Sequence, residues 1–538
     1  MSLVSYRRSS EGTIGKAIGS VRDAHGASSG TGRQKQRRAP PEAYSVYTER
    51  EKWGFWVILA VAGTLPTFTF WIILPSLGTI AADLKMSLEA INLSIMFFLF
   101  VQAVTPMVWG PLSDTLGRRS VYIFSVLVFL ITTVNLSFSI NYPMFIVFRG
   151  FQAAGVASLA AIGGSVIQDL APITEREHYF SFYNGIRNAT LVIAPVIGGL
   201  MTNFVDFRCL FTLLWGLALA IFSAILFFLP ETLRPIAGNG SLPLTGRHQP
   251  LIWRLRYFGD PAHANPQLPP GVSPQLKPRK FIEPFRLLLE KDIILSLVCS
   301  SIIYAIWMMV TVSTSELFKA AFGINDALIG LVFIPNAVGT IAGSTLIGNL
   351  LNADFLATTS EYKNEHELPP SVVISKHALP ADFPLEHTRL IRLPGLTILL
   401  IITLSFYGFT LMYPSLTTLG GWILIPLLLQ FLIALMAHAI CGVHQTLISD
   451  LWPLDNTAAT AASNLVKSSF AAIGAAIVQK MLQGLDSGPT FLCLGLVVII
   501  MVPGCMVQWY YSGGWRRERE DALVQMGIVE KSRRVYYT

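Results

Sequence analysis

Charge is what this chain has least of. Over 538 residues, Asp, Glu, Lys and Arg make up 13% against 52% hydrophobic residues, and mean hydropathy is +0.55. So apolar a chain cannot keep a water-soluble surface. Cysteine is scarce too. The five present (Cys209, Cys299, Cys441, Cys493 and Cys505) lack paired spacing and fall in or beside apolar segments, so they read as small core residues and not as a disulfide framework. The sequence has no GxxxxGK[ST] phosphate loop, no paired metal-ligand cluster and no nucleophile elbow. It offers no ATP site, no metal, no cofactor and no catalytic residue, and does not read as an enzyme.

What is present comes in blocks. Twelve apolar stretches centre on 54–76, 90–111, 120–140, 143–168, 179–204, 209–230, 293–316, 327–350, 394–413, 421–448, 457–479 and 490–511. Each is free of charge for about 18–25 residues, the length that crosses a bilayer as a helix. The chain is therefore an all-α polytopic membrane protein. Its net charge of +7 reports topology and not nucleic-acid binding. Ten Lys/Arg lie in residues 1–52, nine in 234–291 and six in 516–534, whereas the opposite loops hold four, Lys85, Arg208, Lys319 and Lys480. The positive-inside rule then places both termini in the cytoplasm. No signal peptide is visible, so span one serves as its own insertion signal. Trp53, Trp56, Trp422, Trp509 and Tyr510 sit at span ends as interface anchors.

The blocks divide six and six. A basic polar tail (1–52) precedes the first bundle (53–230), and a Pro/Gly-rich linker (231–291) leads to the second (292–511) and a tail (512–538). A long polar loop, 351–392, follows span eight. Two local matches support an internal duplication. "GPLSDTLGRR" (110–119) after span two is echoed by "GNLLNADF" (348–355) after span eight, with Asn352 falling where Asp114 falls. "NGIRNA" (184–189) in span five is echoed by "NLVKSS" (464–469) in span eleven, pairing Asn184 and Arg187 with Asn464 and Lys467.

In "GPLSDTLGRR", Gly110 and Pro111 close one helix, Gly117 allows a tight turn, and Asp114 lies one turn from Arg118. One acid and two bases in a short turn can latch helices together and release them when the helices part. The stretch resembles motif A of the major facilitator superfamily. "RGFQAAG" (149–155) resembles motif B of that superfamily's drug:proton antiporters, a resemblance that links Arg149 to proton transfer. "APVIGGL" (194–200) resembles motif C, in which Pro195, Gly198 and Gly199 bend span five and let it pack closely; Ala194 stands where the family has Gly. "PETLRPIAGNGS" (230–241), "EKDIILSLVCSSIIYAIWMMVTVSTSELF" (290–318), "ADFPLEHTRL" (381–390) and "GWRRERE" (514–520) are similar to fungal drug:proton antiporters with twelve spans, in the branch of quinidine-resistance-type pumps and citrate exporters. The resemblance implies two pseudo-symmetric six-helix bundles around a central cavity. It also implies a monomer in the plasma or vacuolar membrane that moves a small-molecule substrate against protons. "FWIILP" (70–75) departs from the family, putting Trp71 and Ile73 where smaller polar residues are usual.

Arg187 and Lys467 lie deep in apolar spans, where cations are costly and functional. Asn184 and Asn464, three residues earlier, share their faces. Two readings stand: the cations line the cavity and bind an anion, or they snorkel to the headgroups. The first predicts export of an organic acid. Proton coupling needs a group that titrates while facing each side in turn, for which Glu316, His444, His438 and Asp169 are candidates beside Arg149. A broad drug or secondary-metabolite pump is the alternative cargo reading. A non-transporting sensor is the alternative of another class.

Overall fold

Apolar length decides the architecture. The computed structural model describes residues 44–172, 175–240, 244, 248–252, 285–369, 379–380, 382–452 and 456–525, and these form helices without a strand. The remainder of the two tails, of the linker and of the loop after span eight lies outside the described residues. Twelve helices are long and apolar enough to cross a membrane. In chain order, spans one to six are Glu49–Asp83, Leu88–Leu116, Arg118–Ser137, Tyr142–Leu170, His178–Phe204 and Arg208–Phe228. Spans seven to twelve are Lys291–Phe322, Asp326–Glu365, Leu385–Met412, Leu424–Leu451, Ala459–Leu485 and Ser487–Arg519.

Local chemistry sets the ends. Thr48 and Glu51 form a reciprocal capping box that starts span one. Ser87, Asn141 and Asn325 accept from the first-turn amides of spans two, four and eight. Pro75 and Pro106 interrupt spans one and two, as a residue without an N–H must.

Helix pairing repeats between halves. Spans one and five, two and four, and three and six pair in the first half; seven and eleven, eight and ten, and nine and twelve pair in the second. Across the seam, span two meets span eleven and span five meets span eight. Both described ends of the chain emerge on one face, called here the terminal face. Cross-bundle hydrogen bonds lie toward the opposite, outer face: Ser315 Oγ donates to Leu74 O at 2.5 Å, Thr79 Oγ1 to Asp326 Oδ2 at 2.6 Å, and Asn92 Nδ2 to Gln479 Oε1 at 3.3 Å. The outer mouth is shut.

Two sequence expectations need correction. The loop foreseen from 351 is helix as far as Glu365, because Leu351, Phe355 and Tyr362 bury one side of that extension. The final helix likewise runs past 511 to Gln525, held by ion pairs of Arg516 and Arg519. Asp354, two residues beyond Asn352, carries the carboxylate that binds Arg392. Arg389 Nη1 donates to the Leu351 carbonyl as Arg118 Nη1 donates to Ser113 Oγ, the acceptors standing one residue before Asn352 and Asp114.

Candidate functional site

Arg187 and Lys467 occupy the same place in their helices. Each stands eleven residues beyond the first described residue of its helix, 176 to 187 and 456 to 467, or ~16 Å along the axis at ~1.5 Å per residue. Their faces also agree. The exposed apolar residues Ile193 and Ile473 mark each helix's lipid side. Asn184 and Asn464 precede them by nine residues, about two and a half turns, and so face the opposite way. Both amides are exposed on that inner side.

An aromatic wall from spans seven and ten stands between the cations. The Arg187 guanidinium lies within electrostatic reach of Tyr183, one turn back, and of Tyr304 in span seven. Tyr304 and Trp307 have ring centroids 5.3 Å apart, and Trp307 meets His438 edge-on at 4.4 Å. His438 lies within electrostatic reach of Lys467, whose Nζ donates to Gln445 Oε1 at 3.2 Å. Gln445 is also the acceptor for Ser463, at 2.7 Å. His438 Nε2 is buried without a hydrogen-bond partner among the described residues. Above this wall, Trp71 closes against Trp307 at 6.0 Å and Phe333 at 6.2 Å, while Trp307 Nε1 donates to Asn336 Oδ1 at 2.8 Å.

The residues considered for proton coupling are not together. Arg149 is buried inside the first bundle, where it donates to Gln152 Oε1 at 2.5 Å and Thr69 O at 3.3 Å, with its guanidinium 4.1 Å over the Phe98 ring. His444 is fully buried in the second bundle beside the Cys505 thiol. Glu316 stands at the outer seam. It accepts from Gln479 Nε2 at 2.9 Å and lines a cavity of about 200 Å³ with Asn92, Ser315 and Lys319.

"GPLSDTLGRR" forms a latch within one bundle. Arg118 bridges Asp114 at 2.6 Å and Asp169 at 3.2 Å, joining the ends of spans two and four to the start of span three. Gly117, at φ +97°, makes the turn between them. Glu231, fully buried, accepts from the amides of Arg118 at 2.8 Å and Arg119 at 3.3 Å, and so caps span three. Arg119 donates to the carbonyls of Leu229 and Leu226 at the end of span six. The second half repeats the construction with two arginines: Arg389 holds Asp450 at 2.8 Å and Arg392 grips Asp354 bidentately at 2.9 and 2.7 Å.

The "PVIGG" bend forms the seam itself. A Cβ on Gly199 would overlap the Asp326 carbonyl, and one on Gly198 the Ile72 carbonyl. Span five can approach spans eight and one this closely only without side chains there.

Residues 59–359 match the model of the Major Facilitator Superfamily. Citrate exporter 1 of Aspergillus niger is 33% identical over 90% of each chain. The chain belongs to the major facilitator superfamily. The relatives of this major facilitator also include the MFS antiporter QDR2 of Candida albicans, 26% identical over 83% of this chain and 86% of that one. The crystal structure of a D-xylose-proton symporter has the same fold, with a TM-score of 0.57 over 86% of this chain and 98% of the other at 14% identity. This major facilitator is thus a secondary transporter of twelve helices in two pseudo-symmetric bundles, an integral membrane protein that binds a small molecule, and not an enzyme.

Sequence reasoning missed Tyr183, Tyr304, Trp307 and Gln445. A polar or aromatic residue at helical spacing has no signature of its own; only the contacts between spans five, seven, ten and eleven single these out. Residue order gives Glu231 of "PETLRPIAGNGS" no role, because the amides of Arg118 and Arg119 that it accepts from lie 112–113 residues away.

Proposed function

We propose that this transporter exports a small organic acid in exchange for protons. The observation that carries this reading is the matched pair of inward-facing cations. Neither Arg187 nor Lys467 has a carboxylate partner among the described residues, so charge compensation falls to the cargo. Arg187 supplies a forked donor suited to a carboxylate, Lys467 a point charge, and Asn184 and Asn464 amides on the same faces. The citrate exporter among its relatives supports an acid cargo. Alternating access moves the bundles about this site. Outer contacts such as Thr79–Asp326 break in the outward state, while the Asp114–Arg118 latch participates in gating the terminal face. In this reading both termini face the cytoplasm, the membrane is the plasma membrane and the unit is a monomer. Proton coupling draws on Glu316 at the seam, with Arg149 and His444 inside the bundles.

A second cargo is favoured by the wall of Trp71, Tyr304, Trp307 and Phe333, which suits an amphipathic drug, and by the multidrug-type relatives. Extracellular metabolites of expressing and deletion strains separate the two. A carboxylate absent outside and accumulated inside the deletion strain supports acid export. Unchanged acids with altered drug tolerance support the second reading.

A further inference from the structure

The first helix of span one ends at Trp71, where this chain departs from its family. Pro75 has no N–H to give the Trp71 carbonyl, so the helix breaks there and passes through a short turn, Leu74–Ser76, before it resumes. The indole is buried. Apart from its chain neighbour Phe70, its ring partners belong to the other bundle: Trp307 of span seven at 6.0 Å and, edge-on, Phe333 of span eight at 6.2 Å. A tryptophan that only filled its own core would find its ring partners there. The far side of this contact is fixed. Trp307 Nε1 donates to Asn336 Oδ1 at 2.8 Å and Asn336 Nδ2 to Thr311 Oγ1 at 3.0 Å, all within the second bundle. The near side is held through the break: Gly198 lets span five abut the Ile72 carbonyl, and Ser315 Oγ of span seven donates to the Leu74 carbonyl at 2.5 Å.

We propose that Trp71 is the lid of the cation site, a side chain of the first bundle that shuts the site off from the outer side by closing on the second. On the site's side of the lid, Trp307 meets His438 edge-on at 4.4 Å, and His438 lies within electrostatic reach of Lys467. Both ring contacts of the lid cross the seam, so neither persists once the bundles part at the outer mouth. They belong to the closed state alone. Ring pairs at such separations attract beyond their burial, and removing them therefore favours the open state. The lid also limits what fits beneath it, because an indole fills space that a small polar residue would leave to the cargo. This ceiling on cargo size is a corollary that rests on the reading of acid export, whereas the lid itself needs no particular cargo.

The lid is tested by a distance, without cargo. Ile140 and Leu419 are exposed at the outer ends of opposite bundles. Spin labels on Ile140→Cys and Leu419→Cys, in full-length protein carrying Cys209→Ser and Cys493→Ser and purified in detergent, report the outer separation by double electron–electron resonance. Trp71→Ala is expected to raise the ratio of long to short distances ~10-fold, the scale of two aromatic pairs. Trp71→Phe, which keeps a ring, stays near its parent. Phe333→Leu cuts the contact from the opposite bundle and shifts the ratio in the same direction as Trp71→Ala. Distance distributions unmoved by Trp71→Ala and by Phe333→Leu would overturn the lid. The ceiling is tested in proteoliposomes with trimesate, which carries as many carboxylates as citrate on a rigid ring, as competitor of labelled citrate uptake. Trp71→Ala is expected to lower its inhibition constant ~10-fold, the scale of a relieved steric overlap; an unchanged constant refutes the ceiling. A natural protein that takes up no citrate refutes the acid reading, while the distance distribution still upholds or overturns the lid.

Discussion

The two halves of this transporter share a plan and differ in how firmly each holds its cation. In span five, Arg187 has the Tyr183 hydroxyl beside it; in span eleven, Lys467 is tied to Gln445, which Ser463 also binds. The terminal-face latches differ in the reverse sense. One arginine, Arg118, serves both acids in the first half, whereas Arg389 and Arg392 divide the task in the second. Duplication therefore preserved depth and facing while strength was redistributed. The half with the looser cation at the cavity is the half with a single, shared arginine at its latch. We read the first bundle as the one whose cation meets the cargo directly and the second as a pre-set counter-charge.

Breaking the latches should expose the asymmetry most. Glu231→Ala leaves the amides of Arg118, Arg119, Thr232 and Leu233 without their buried acceptor, a loss of about 3 kcal/mol or more. Thermal unfolding of the purified protein should show a large fall in Tm, and membrane abundance should drop with it. Next in size is Gly199→Leu, which forces spans five and eight apart where no Cβ fits and costs ~1–3 kcal/mol of packing. Transport should fall steeply while the amount of folded protein stays close to normal. Lys467→Met tests the second cation, whose loss removes one charged hydrogen bond, worth ~10-fold in cargo affinity; KM should rise by that factor with Vmax little changed. Arg392→Ala breaks an ion pair whose arginine side chain is 45% exposed, so its effect on Tm should stay within the ~0–1 kcal/mol of a surface pair.

Much of this was legible in residue order. Twelve charge-free blocks gave the spans, and "NGIR" and "NLVK" point to two cations at similar depth, each eleven residues beyond the first described residue of its helix. Helix ends were harder. Span eight runs on to Glu365 because its extension buries Phe355 and Tyr362, a tertiary contact that polarity alone concealed. The pairing of Arg392 with Asp354 was not legible in the short motif, because the arginine that grips that carboxylate lies 38 residues further on. The aromatic wall could not be foreseen. Tyr304, Trp307 and His438 meet only when spans seven and ten are brought together.

The account turns on Arg187 as the group that meets an acidic cargo. Its most direct test is uptake of a labelled carboxylate, citrate first, by proteoliposomes containing either the natural protein or Arg187→Gln at matched amounts. The prediction is a loss of ~100-fold or more in uptake, the scale of a bidentate charge-assisted contact, with Tm and reconstitution unchanged. Uptake by Arg187→Gln equal to that of the natural protein would contradict it.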